Sequence, residues 1–194
     1  MSFREKHGFT IVELLIVIVV IGILAAITIV AYNGIQAKAR DTQRIADMKT
    51  IAKALELYKT NNGSYPAAVG TTNASGWEVS HNGTAATNFL SALVSPTNGV
   101  SKIPVDPANF GTNSGVAASL NPSRTSGNYM YYYHRYPSGA NGCDASRGDF
   151  YVLGITRMDT VASGANHPDN PGFVCTGMNW SSSGAWQAGS YTDG

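Results

Sequence analysis

One carboxylate stands alone in oil. Between Phe9 and Tyr32, in FTIVELLIVIVVIGILAAITIVAY, the one acidic or basic side chain is Glu13, and there is no proline. An acid in such a run costs about 2.5–3.5 kcal/mol on insertion scales, which makes it a functional candidate whose partner must be found. The only cation that could sit nearby without another basic side chain is a free α-amine, created if the chain is cut just before Phe9.

The other residue types that carry chemistry are sparse. Cys143 and Cys175 are the two cysteines. Neither sits in a CxxC or beside a close-spaced histidine, so a disulfide is the reading and zinc the alternative. A bridge between them closes a loop whose chain-entropy term is about 3.7 kcal/mol. His81, His134 and His167 are scattered, with no HxxxH or HExxH among them. Asp144, Asp149, Asp159 and Asp169 flank the cysteine loop without the alternating Asp/Asn series that calcium takes, so no metal or cofactor is expected. No GxSxG, phosphate-cradling loop or paired catalytic acids occur, and no enzyme is expected. Trp180, Trp186 and Tyr191 are read as core or subunit interface, with an exposed surface for glycans as the alternative. The N-x-S/T triplets at Asn73, Asn82 and Asn179 carry little weight.

The elements that position Glu13 begin with the apolar run itself. As a helix it reaches roughly 36 Å, enough for a hydrocarbon core of about 30 Å. Positive charge before it, in MSFREKHG, places the start of the chain in the cytoplasm and everything after Tyr32 outside, an oxidising location that suits a bridge. An ordinary signal peptide would have a shorter apolar region and no central acid. From Ile35 the helical character continues with an apolar stripe of Ile45, Met48, Ala52 and Leu55, beside Ile51 and Tyr58. Lys49, Lys53, Glu56 and Thr60 make the opposite stripe. Glu56 can pair with Lys53 or Lys59, and Asp41 and Asp47 with Arg44, at a few tenths of a kcal/mol each. Net charge is +3 from Ile35 to Asn62 and −2 beyond, read as a solvated helix face. The chain after residue 8 is formally neutral, which argues against nucleic-acid binding driven by bulk charge.

NNGSYP, Asn61 to Pro66, ends the helix. Phe89, Leu90, Leu93 and Val94 read as a short helix stopped by Pro96, and Ile103 to Pro107 as an extended element packed across a sheet. Tyr129–Tyr136 and Asp149–Met158 read as strands joined by a long loop bearing Cys143, and Gly172–Thr176 as a short third strand. The tail after Cys175 is a last hairpin or loosely held, with Trp180 and Trp186 favouring the hairpin.

KHGFTIVELL resembles the processing and methylation motif of type IV pilins and the pseudopilins of type II secretion. The resemblance implies cleavage by a prepilin peptidase after Gly8, N-methylation of Phe9, and an assembly role for Glu13. The Pro104–Pro107 element resembles the family pattern more loosely, and Cys143 and Cys175 resemble the pair that bounds the variable C-terminal region of many pilins. The implied fold is α+β, a long N-terminal helix packed on a small antiparallel sheet. Its parts are a leader at 1–8, a transmembrane or filament-core half at 9–32, an amphipathic half at 33–62 and a globular head at 63–194. The implied function is a structural pilin of a type IV pilus, anchored by a single span with its head outside, then assembled as a homo-oligomeric helical filament with pilus machinery. A type II pseudopilin or minor pilin is the alternative, and a single-span binding protein or enzyme a remote one. Many pilins carry a proline about where Val30 stands; this chain does not.

Overall fold

A computed structural model of the chain describes residues 9–68, 76–80, 89–98, 100–108, 122 and 128–193. The leader with Gly8, and His81, Asn73 and Asn82, lie outside the described residues. The apolar run and the stripe that follows it form one helix, α1, Ile11–Asn62. It ends where the sequence loses helix formers: Gly63 turns the chain at φ +75°, and its N–H donates to Lys59 O at 2.7 Å. The chain divides into two compact units between Lys38 and Ala39.

In the first unit every large apolar side chain from Phe9 to Ile35 is exposed, from 47% for Val20 to 84% for Phe9. Removing one such side chain from water is worth about 1.5–3 kcal/mol, so this surface belongs in an apolar medium. Among the described residues α1 is the one helix long and apolar enough to cross a membrane. Thr28 satisfies its hydroxyl within the helix, Oγ1 donating to Leu24 O at 2.7 Å.

The second unit is an antiparallel sheet over the C-terminal part of α1. Its strands are β1 (Glu78–Val79), β2 (Tyr131–Tyr136), β3 (Phe150–Ile155) and β6 (Trp186–Tyr191), in the order β1-β2-β3-β6. A separate ribbon pairs β4 (Val174–Cys175) with β5 (Met178–Asn179). The strand alternation sorts side chains to two cores. Tyr131, Tyr133, Tyr151, Leu153, Ile155 and Trp186 pack with Met48, Ile51 and Leu55 of α1. On the other face Tyr132, Phe150, Val152 and Tyr191 pack with Phe173, Trp180 and Cys143. The register puts Tyr132 opposite Gly154. A Cβ at 154 would lie 2.3 Å from Tyr132 Cζ, so this glycine is what lets the ring lie across the sheet.

Ile103, Val100, Phe89, Leu90 and Leu93 enter the first core, as expected of a segment packed across a sheet. The short helix expected over Phe89–Val94 is a 3-10 turn, Ser91–Leu93, entered through Leu90 at φ 47°. The tail forms β5 and β6. Trp180, Trp186 and Tyr191 are each no more than 5% exposed, which removes the aromatic surface for glycans.

Candidate functional site

The first turn of α1 is built by Thr10 and Glu13. Thr10 precedes the helix, and its hydroxyl oxygen accepts from Glu13 N–H at 3.2 Å. In return Glu13 Oε2 accepts from the Thr10 amide at 2.7 Å and from the Thr10 hydroxyl at 2.8 Å. This is a capping box, two helix-end donors satisfied reciprocally. The helix dipole adds its own preference for an anion there. Glu13 is therefore not bare before any partner arrives. The Thr-x-x-Glu spacing was legible in the chain and is the signal that composition and hydropathy pass over. Phe9 lies immediately before the cap, largely exposed.

A second charge in apolar surroundings lies in the head. Arg44, fully buried, donates from Nε and Nη2 to the two oxygens of Asp106 at 2.8 and 3.0 Å. Its Nη1 donates to Asp41 at 2.6 Å and to Asp159 at 2.8 Å. Its ring-facing side lies 4.8 Å from the centroid of Tyr129. Asp41 also accepts from the amides of Asp159 and Thr160 and from the Thr160 hydroxyl. Arg40 donates to Asp159 at 2.7 Å. Burial opposes the charge of Arg44, and the contacts with Asp106 and Asp159 outweigh it, so its proton is held above the ordinary range. Burial likewise pushes Asp159 up, but hydrogen bonds from Arg40 and Arg44 hold its carboxyl below its ordinary value. Three segments meet here: α1, the turn after Pro104 and the chain after β3. The expectation of a solvated face with weak pairs is corrected for Arg44, whose charge needs these partners because it is dry. Asp47 does not pair with Arg44; it accepts from the Tyr131 hydroxyl at 2.7 Å, and burial raises its carboxyl. Glu56 pairs with Lys59 at 2.9 Å.

Cys143 and Cys175 form a disulfide, with Cα atoms 5.0 Å apart, tying the β2–β3 loop to β4. His134 lies within β2 and stacks on Tyr136, ring centroids 4.1 Å apart. Asp144 accepts from Ser146 and Asp149 from Arg135, while Asp169 is exposed. These carboxylates do not converge: no group of three or more metal-ligating side chains occurs among the described residues.

A family profile described as the prokaryotic N-terminal methylation motif matches residues 3–29. The type II secretion system core protein G of Pseudomonas aeruginosa is 39% identical over 67 residues, 34% of this chain and 47% of that protein. Proteins of the same name from Aeromonas hydrophila and Vibrio cholerae are 36% identical over 66 residues and 35% over 65, covering 46% and 44% of their lengths. The chain thus spans just under half the length of these curated relatives. No solved structure matches it.

Proposed function

We propose that this chain, whose N-terminal segment matches the methylation motif and is similar to type II secretion system core protein G, is a pilin-like structural subunit of a filament built through α1. In this reading a prepilin peptidase cuts between Gly8 and Phe9, and Phe9 is N-methylated. The subunit waits in the membrane as a single span with its head outside. On joining the filament, the carboxylate of Glu13 meets the ammonium of Phe9 on a neighbouring copy, and two charges in hydrocarbon neutralise each other. The observation that carries the reading is the exposed apolar surface from Phe9 to Ile35 with one acid in it.

Two filament classes share that segment. The relatives named for type II secretion favour a pseudopilin, which would form a periplasmic filament and serve export of other proteins. The disulfide-tied head, Cys143 to Cys175, favours the second reading, a pilin of a type IV pilus.

Mass spectrometry of the mature protein tests the shared part: a start at methylated Phe9 supports it, and a retained Met1 refutes it. Glu13→Gln is expected to leave insertion intact and abolish assembly. Abundance in sheared surface filaments selects the pilin, and loss of protein secretion on deletion selects the pseudopilin.

A further inference from the structure

We propose that the end of the head where α1 enters it, with Arg157 and Arg40 flanking the Arg44 cluster, is a docking surface for anionic phospholipid headgroups; this rests on the single span proposed above. Arg157 follows β3 and is half-buried. Its Cζ lies 5.1 Å from the centroid of the Tyr129 ring, and Arg44 Cζ lies 4.8 Å from the same centroid. Among the described residues the Arg157 side chain makes no hydrogen bond and no ion pair. The N–H donors of this guanidinium are therefore unspent, on a group that the ring holds in place.

The nearby carboxylates do not serve it. Asp41 and Asp106 are each 2% exposed, and with Asp159 they are taken up by Arg44, Arg40 and Thr160. Arg40, Arg44 and Arg157 against Asp41, Asp106 and Asp159 sum to no net charge, but the signs are layered. The side chain of Arg40 is 36% exposed and that of Asp159 13%, so cation stands outward and acid inward. A neutral cluster layered in this way attracts anions only at close range. The chain supplies that range: from Tyr32 to Arg40 is at most about 12 Å of helix, beside a headgroup layer about 5–7 Å deep. That distance is comparable with a screening length of about 8–10 Å. A phosphodiester accepts two N–H bonds from one guanidinium, and an anionic headgroup lacks the trimethylammonium that offsets this charge in phosphatidylcholine.

The experiment places the full-length chain, at low protein density, in liposomes of phosphatidylcholine alone or with phosphatidylglycerol, each carrying a dansyl headgroup probe. Trp77, Trp180 and Trp186 are the three tryptophans of the chain and all lie beyond α1, so energy transfer from them to the probe reads how near the head sits. Transfer is expected to be higher on the anionic liposomes, and the excess to vanish in about 1 M salt. Arg157→Gln is expected to lower the docked-to-undocked ratio about fivefold, the scale of one cation at such a surface, and Arg157→Lys to stay within about twofold of the parent. The comparison of the two lipids needs no variant, so it stands even where a variant misfolds. Equal transfer on both liposomes, or an excess that a folded Arg157→Gln leaves unchanged, would overturn the docking surface. An excess seen only at high protein density would overturn it too, by placing a second copy on this surface. A chain that alkaline carbonate extracts from both liposomes would instead refute the single span on which the proposal rests.

Discussion

Glu13 and Arg44 are both charges set in apolar surroundings, and they are finished differently. The donors of Arg44 are taken up by Asp41, Asp106 and Asp159 of its own chain. Glu13 has one oxygen occupied by its own first turn and one not. A charge completed within the chain fixes where distant segments of that chain meet. On the proposed function, a charge half completed is left for a second copy of the chain. Losing the first should therefore unfold the head, and losing the second should spare the head and cost only association.

The largest effect tests that directly. Arg44→Met leaves buried carboxylates without their cation and is expected to lower head stability by about 3–5 kcal/mol, read by denaturant unfolding. A loss under about 1 kcal/mol would mean the clamp contributes no more than an exposed pair. Next, combining Arg44→Met with Asp106→Leu replaces the bidentate partners by apolar groups and should regain about half of that loss. Asp159 keeps Arg40 and Asp41 keeps the Thr160 contacts, so neither is stranded. No recovery would show that the charges themselves, and not the vacancy left by one partner, hold the segments together.

Acid gives a smaller, graded version. The folded value of Asp159 lies below its ordinary value of 3.8, so its contribution is fully present above that pH and is lost as pH falls through the depressed folded value. Asp47 runs the opposite way: its raised carboxyl opposes the folded head fully above the raised value, and that opposition is lifted as pH falls from the raised value to 3.8. Asp159→Asn should flatten the decline of stability below about pH 4, whereas Asp47→Asn should remove a gain on acidification that falls just above about pH 4. Calorimetry from pH 2 to 6 reads both, and equal slopes would remove Asp159 from the acid response. The smallest effect completes the comparison. Glu13→Gln should change head stability by less than about 0.5 kcal/mol, and a larger change in unfolding would show that Glu13 is not reserved for association.

What the chain discloses by inspection follows the range of the interactions. The helix, its stop at Gly63, and strands β2 and β3 rest on runs of neighbouring residues and are legible as such. Thr10 and Glu13 are three apart, and their capping box is legible too once spacing is weighed beside hydropathy. The clamp is not. Asp106 and Asp159 lie 62 and 115 residues from Arg44, and locally Arg44 looks like the partner of Asp41 and Asp47 on a wet face. Strand β6 is equally obscure, because WQAGSY holds a glycine and small polar residues that weaken any strand signal. Its place is set by register against β3 and by Tyr65, whose hydroxyl donates to Tyr191 O at 3.1 Å.

The position of β6 also dictates a timetable. β3 has β2 along one margin from the moment both exist, but its other margin is filled by residues that come much later in the chain. On the proposed route outward, a chain halted before Trp186 would display a naked strand margin to every similarly halted neighbour. Interrupted export should accordingly yield clumped material on the far side of the membrane, and a soluble, half-built head recovered there would contradict it.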